Sequence, residues 1–283
     1  MANLLILKRR IKTAQNVSKT TKAMQMIAAS KLKRAEQSAL SSRPYVEKLT
    51  QISRSISQKV DEEEKNDYMR PITPTDEKLI ILVSPDKGLC GGLNTNLARE
   101  LLKFTKENKK LIYITVGKKA SGIVRSFGGN ILASFEIGTT LPSYDLVYPV
   151  MALIDEQFLG RKVSSVYTLN SNFNSFFSQN PLLKKILPVQ FESEEELQKE
   201  SLFEPSAKTL LPGLIRHYLE MSIYQSFLEN YLSEQAARMI AMQNATENAK
   251  EIIEELKLLY NKKRQEKITS EILDISGGVF INA

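Results

Sequence analysis

The 283-residue chain has one cysteine (Cys90), one histidine (His217) and no tryptophan. One thiol excludes an internal disulfide framework and a cysteine-rich zinc site, and one imidazole excludes a His-rich metal centre. Such cysteine usage fits a reduced compartment. No apolar run approaches the ~20 residues of a membrane span. The opening Met1-Ala-Asn-Leu-Leu-Ile-Leu-Lys8 is too short for a secretory core, so no leader is expected. Acidic residues are nearly missing from the first 60 positions, where Glu36 and Glu47 stand against 13 Lys and Arg. The remaining chain is close to balanced, so most of the basic excess sits in one segment, and a partner with a negative surface is expected there.

Glycine is absent before Gly88 and proline before Pro44, and neither occurs between Gly213 and Gly277. As continuous helix the second of these stretches spans ~95 Å, and the first, up to Lys59, ~80–85 Å. In the first, Ile11, Ala14, Val17, Met24, Ile27, Ala28, Leu32, Ala35 and Ala39 step mostly by three and four. A comparable stripe runs in the second from Leu211 through Tyr218, Phe227, Ala236 and Ala245 to Leu259. Narrow apolar seams on long helices predict a coiled coil, here a thin one rich in Ala, Ser and Thr. Pro44 predicts a kink or a first breakpoint.

Between the helices the pattern changes to short apolar runs at 79–83, 111–116, 131–135 and 163–169. Amphipathic segments near 93–108, 118–127 and 143–159 alternate with them. This alternation predicts a parallel sheet covered by helices on both faces. The fold class is therefore α/β plus a long antiparallel coiled coil. Residues 1–60 and 206–283 form the paired helices, and 75–205 an inserted α/β domain.

One glycine-rich turn, Ser84-Pro-Asp-Lys-Gly-Leu-Cys-Gly-Gly-Leu-Asn94, follows the first predicted strand. A phosphate cradle is one reading. It lacks the Walker spacing and G-x-G-x-x-G, which favours a tight strand-to-helix turn needing glycine for close approach. Cys90 has no histidine near it in sequence and reads as structural, as does His217. No carboxylate pair is spaced for acid/base work, so the chain reads as a non-catalyst. The basic helix could also hold nucleic acid or an anionic bilayer. It has no aromatic before Tyr45, no reading module and no Trp, which favours an acidic protein partner. A nucleotide-binding α/β enzyme and a nucleic-acid-binding coiled coil remain as alternatives.

Residues Ile11–Ala35, with Thr20-Thr-Lys-Ala-Met-Gln-Met-Ile-Ala-Ala-Ser-Lys31 at their centre, resemble the N-terminal helix of the gamma subunit of F-type ATP synthases. Ser233–Asn248 and Leu259–Glu271 resemble its C-terminal helix. Asp86-Lys-Gly-Leu-Cys-Gly-Gly-Leu-Asn94 is similar to the signature loop of its inserted domain, and Leu202-Phe-Glu-Pro205 to the segment leading into the second helix. The resemblance runs end to end. It implies an antiparallel coiled coil with a Rossmann-like insert. The implied role is a rotor shaft that couples proton flow to ATP synthesis or hydrolysis at the beta subunits by favouring one conformation of beta over another. It implies as partners the alpha and beta subunits of the catalytic hexamer, the epsilon subunit and the c-subunit proton ring. Nucleic acid is not among them, and the membrane is met only through the complex, on the cytoplasmic side of the bacterial inner membrane. No cofactor is implied for this chain.

Residue by residue, the resemblance implies coupling contacts to beta at Lys22, Met24, Arg238, Arg264, Gln265, Thr269 and Glu271. It implies foot contacts to epsilon and the ring at Leu202, Phe203 and Glu204. Its signature loop carries over to Gly88, Cys90, Gly91, Gly92 and Asn94. The family often has glycines where this chain has Ala249-Lys250, and the cysteine-pair loop of the chloroplast type is missing. If the paired helices end together, residue i lies opposite about 284 − i, and Met24 faces about position 260, one turn from Arg264.

Overall fold

The computed structural model describes residues 2–61, 65–72, 75–108, 110–191, 204 and 206–280. The elements are α1 (Ala2–Ser57), β1 (Lys78–Val83), α2 (Leu93–Glu107), β2 (Leu111–Val116), α3 (Lys118–Ser126), β3 (Asn130–Phe135), α4 (Val147–Phe158), β4 (Ser165–Ser175), β5 (Ser178–Leu187) and α5 (Ala207–Phe280). The chain divides into two compact units. One holds Ala29–Arg238, the other Met1–Ala28 with Met239–Ala283.

In the larger unit the sheet order is β3-β2-β1-β4-β5. β1 to β4 are parallel to their neighbours, and β5 is antiparallel to β4. β1 reads Lys-Leu-Ile-Ile-Leu-Val, with its last five residues buried, as a strand covered on both faces must be. One face carries Leu79, Ile81, Ile114, Met151, Ile154 and Phe158 together with Leu211, Ile215, Leu219 and Phe227 of α5. The other carries Ile80, Leu82, Leu97, Leu101 and Cys90, against which Ala237 of α5 packs. The N-terminal length of α5, up to Ala237, is thus part of the core of the α/β fold.

β5 departs from the predicted pattern. Its exposed positions and Pro181 suit an edge strand, which the apolar-run criterion passes over. Pro44 neither ends α1 nor opens a gap in it. It lies exposed, between exposed Leu40 and Tyr45, on a solvent-facing side of the helix where the lost N–H costs least. Still in this unit, Arg43 holds Glu229 with two hydrogen bonds, Nε to Oε1 at 2.7 Å and Nη2 to Oε2 at 3.0 Å. A polar cluster ties the α/β layer to α5. Tyr68 donates to Asp155, and Arg216 reaches Asp155 at 2.9 Å and Glu220 at 3.2 Å. Burial, then the bond to Asp155, pushes the Tyr68 phenol strongly upward.

The smaller unit is a helix pair. On α1 the less exposed positions include Leu4, Leu7, Ile11, Ala14, Ser18, Thr21, Gln25 and Ala28, with Met24 half-buried beside Gln25. On α5 they include Met242, Thr246, Ala249, Ile253, Leu256 and Tyr260. Both named sets step by three and four. Thr21 Oγ1 lies 2.7 Å from Thr246 Oγ1 and pins the pair in register. Residue i therefore faces about 267 − i, and the helix ends do not meet. The register expected from coincident ends is wrong by about 25 Å along the axis. Met24 faces about position 243, and α5 from Ile268 onward has no α1 residue at its height.

Candidate functional site

The glycine-rich turn runs from the end of β1 into α2. Leu89 adopts φ 62° and Gly91 φ 59°, so the chain turns sharply twice in the left-handed region. Gly117, at φ 102° after β2, packs so closely that a Cβ would sit 2.0 Å from Ser84 O. Asp86 bridges the turn to its neighbours: Oδ1 accepts from the Lys118 amide at 2.7 Å and Oδ2 from the Gly138 amide at 2.6 Å. Cys90 is buried, and its Sγ accepts from Asn94 Nδ2 at 3.5 Å. Burial pushes this thiol up, away from the reactive thiolate. Gly88, Cys90, Gly91, Gly92 and Asn94 thus build a turn held in place by protein groups.

That turn is fastened to α5. Arg238 Nη2 donates to the carbonyls of Gly88 at 3.3 Å and Lys87 at 3.4 Å, and lies 2.7 Å from Glu234 Oε1. Its side chain is only 12% exposed. Burial raises the Glu234 carboxyl above its ordinary range while Arg238 pulls it back. Beside it, Lys31 of α1 donates to the Thr139 carbonyl, as does Tyr231 at 3.4 Å. The loop after β3 is therefore clasped from both long helices.

An open α/β sheet binds ligands where the strand order reverses, beyond the carboxyl ends of the strands. Here that point lies between β1 and β4. It is occupied by α5: Asn230 Oδ1 accepts from the Ser171 amide at 3.3 Å, and Ser233 Oγ donates to Ser171 O at 3.0 Å. Asn230 and Ser233 are fully buried. The crevice that would serve a nucleotide in an enzyme of this fold is filled by the protein's own helix, so the enzyme alternative loses its site.

The other carried-over residues lie on the helix pair. Lys22 is exposed and bonds Gln25 at 3.3 Å, and Met24 is half-buried. Arg264, Gln265, Thr269 and Glu271 are exposed, with Glu271 paired to Lys267 at 3.2 Å. The structure does not bring Met24 and Arg264 to one height; about 30 Å of helix separates them. Val17 and Ile252 are about half exposed at the rim of the pair, Ile27, Met26 and Leu258 are more exposed, and Ile272 is exposed beyond the last α1 residue. An apolar groove of about 650 Å³ lies between the helices, lined by Ile6, Ala14, Val17, Ala249, Ile252 and Leu256 with Arg9 and Arg10. Glu204 is exposed, whereas Leu202 and Phe203 fall outside the described residues. His217 is half-exposed and bonds Tyr45 Oη at 2.7 Å. Among the described residues no helix is long and apolar enough to cross a membrane.

Sequence reasoning missed Glu234, Asp86, Asn230 and Ser233. The i, i+4 spacing of Glu234 and Arg238 was a legible signal for an ion pair. The reach from Arg238 to residues 150 positions away left no local trace.

A family model described as ATP synthase matches residues 3–280. A curated relative, the ATP synthase gamma chain of Dehalococcoides mccartyi strain CBDB1, is 40% identical over 98% of both chains. Two chains from the Euglena gracilis mitochondrial ATP synthase share the fold. One, from its OSCP/F1/c-ring assembly in rotational state 3, gives a TM-score of 0.71 at 19% identity, covering 98% of this chain and 94% of that one. The other, from its rotor in rotational state 1, gives 0.66 at 18%, covering 94% and 99%.

Proposed function

The chain belongs to the ATP synthase gamma-chain family, and from that premise we propose how its residues perform the work of a central stalk. It is a non-catalytic subunit: the nucleotide chemistry takes place in the beta subunits, and this chain turns among them. Its partners are the alpha and beta subunits, the epsilon subunit and the c-ring. The complex places it at the cytoplasmic face of the bacterial inner membrane. In this reading residues 1–60 and 206–283 are the shaft and 75–205 the inserted α/β body.

One observation carries the reading. The helix pair of the smaller unit leaves Val17, Met26, Ile27 and Leu258 exposed, and Ile272 is exposed on α5 beyond the last α1 residue. A soluble two-helix segment hides such residues, whereas a shaft enclosed by a bearing presents them to it. The basic face of α1 meets acidic loops of beta through Lys22, with Met24 at the same height. Arg264 and Gln265 engage beta some 30 Å further along by the helix rise, with Thr269 and Glu271 beyond them. Arg264 suits a moving carboxylate because its five donors are set in a rigid fork. The foot of Leu202, Phe203 and Glu204 meets epsilon and the ring.

The test is the ratio of protons pumped to ATP hydrolysed by the reconstituted complex. Arg264→Glu places like charges together inside an enclosure, where the cost exceeds the ~0.2–1 kcal/mol of an exposed pair. Pumping is expected to fall more than hydrolysis. Met24→Lys holds the acidic loop too long and slows each step. Because the two positions lie at different heights, their effects on the ratio should multiply rather than merge. Parental ratios in both variants would remove these residues from the coupling path.

A further inference from the structure

The family resemblance casts Arg238 as a contact to beta, but its surroundings assign it other work. The guanidinium is nearly buried, with Nη2 shared among Glu234 Oε1, Gly88 O and Lys87 O. These acceptors all lie within its own unit, and they turn Nη2 of the fork inward onto the loop. We propose that Arg238 is a positioning residue, the pin by which α5 holds the glycine-rich loop 86–92, with Glu234 fixing the pin.

Three features of the loop show why it needs one. Leu89 holds a left-handed φ that a branched side chain adopts only under constraint, and it does so while 61% exposed, so burial of its own side chain cannot supply that constraint. The turn leads into α2 through Gly92 with no side-chain cap. Its other polar fastenings are Asp86 to the amides of Lys118 and Gly138, the Lys119 amide to Pro85 O and Asn94 to Cys90 Sγ, which tie the turn to other loops and to α2 rather than to a long helix. Arg238 supplies the missing link. All three contacts fall on Nη2 at the far end of the side chain, and a lysine ammonium, on a shorter stem and without the planar fork, stops short of the loop carbonyls. The loop and α5 then move as one piece, and the body of the protein turns with its shaft. This last step rests on the central-stalk reading; the pin itself does not.

Cys90 reports on the pin because it is the buried residue of the loop itself, 1% exposed, in the cluster against which Ala237 of α5 packs. The experiment measures Cys90 alkylation by iodoacetamide in the full chain and in the assembled complex, for the parent, Arg238→Lys and the doubly neutral Arg238→Gln/Glu234→Gln. In the free chain, labelling should accelerate about tenfold or more in both variants, while amides of β1 and β2 keep parental hydrogen-exchange protection. In the complex the same variants should lower protons pumped per ATP. Parental labelling in Arg238→Lys would overturn the pin, above all if pumping still falls, since Arg238 would then act on beta directly. Equal loss of protection across β1 and β2 would also overturn it, because the loop would have no separate fastening. Faster labelling with parental pumping would keep the pin and refute its part in rotation.

Discussion

At the scale of single residues, close approach decides more than chemistry does. Gly117 combines a positive φ with a Cβ position 2.0 Å from Ser84 O, and that atom belongs to the backbone of β1's end. Neither half can relax cheaply. Gly117→Ala is expected to cost about 3 kcal/mol or more, read as a lower urea midpoint of the free chain. Cys90 is the opposite case, a residue whose chemistry is suppressed. Its buried thiol should alkylate about tenfold or more slower than a free thiol at neutral pH, and Cys90→Ala should leave ATP hydrolysis by the complex near the parental rate. Glu234 sets a pH dependence. Its folded pKa is raised by burial, so its contribution is full below the unfolded value near 4.5 and is lost as pH rises through the folded value. Glu234→Gln removes that loss, and its stability relative to the parent should grow between pH 4 and 7 in urea titrations. Arg238 shows the reach of sequence at this scale: the pair with Glu234 is visible at i, i+4, but the carbonyls it holds are not.

Among elements, type was legible and register was not. The four parallel strands, their helices and both long helices follow from apolar period and from where glycine and proline are missing. β5 escaped because Asn, Ser, Gln and Pro interrupt its alternation, as an edge permits. The two long helices carry thin seams that match one another at several offsets, so periodicity alone cannot choose among them. The choice falls to a polar pair, Thr21 with Thr246, at positions a hydrophobic pattern reads as gaps. It also leaves Val17 and Ile27, which belong to the apolar stripe on paper, exposed. In a Cys90→Ala background, Thr21→Cys with Thr246→Cys should form an intramolecular disulfide under mild oxidation. Cysteines at 24 and 260 should not, being about 25 Å out of register. Efficient closure of the second pair and not the first would restore the register of coincident ends.

For the molecule as a whole, core is unevenly shared. The large fully buried side chains, Phe158, Phe227, Met151 and Leu97 among them, all belong to the unit of Ala29–Arg238. The helix pair of the other unit buries little beyond Leu7, Ala28, Met242 and Ala249. Long isolated helices with so thin a seam are marginal in water. In the free chain, amides of residues 5–28 and 239–273 should exchange about 100-fold or more faster than those of β1 and β2, and assembly with the hexamer should slow them. Equal protection in the free chain would mean that the pair is stable unaided. The filled crevice has a further consequence. A segment of the same polypeptide that occupies a binding place competes at an effective concentration in the millimolar range, without leaving when the solution is diluted. Asn230 and Ser233 are such a built-in occupant: the crevice beyond β1 and β4 is held by α5 itself, and dilution does not empty it.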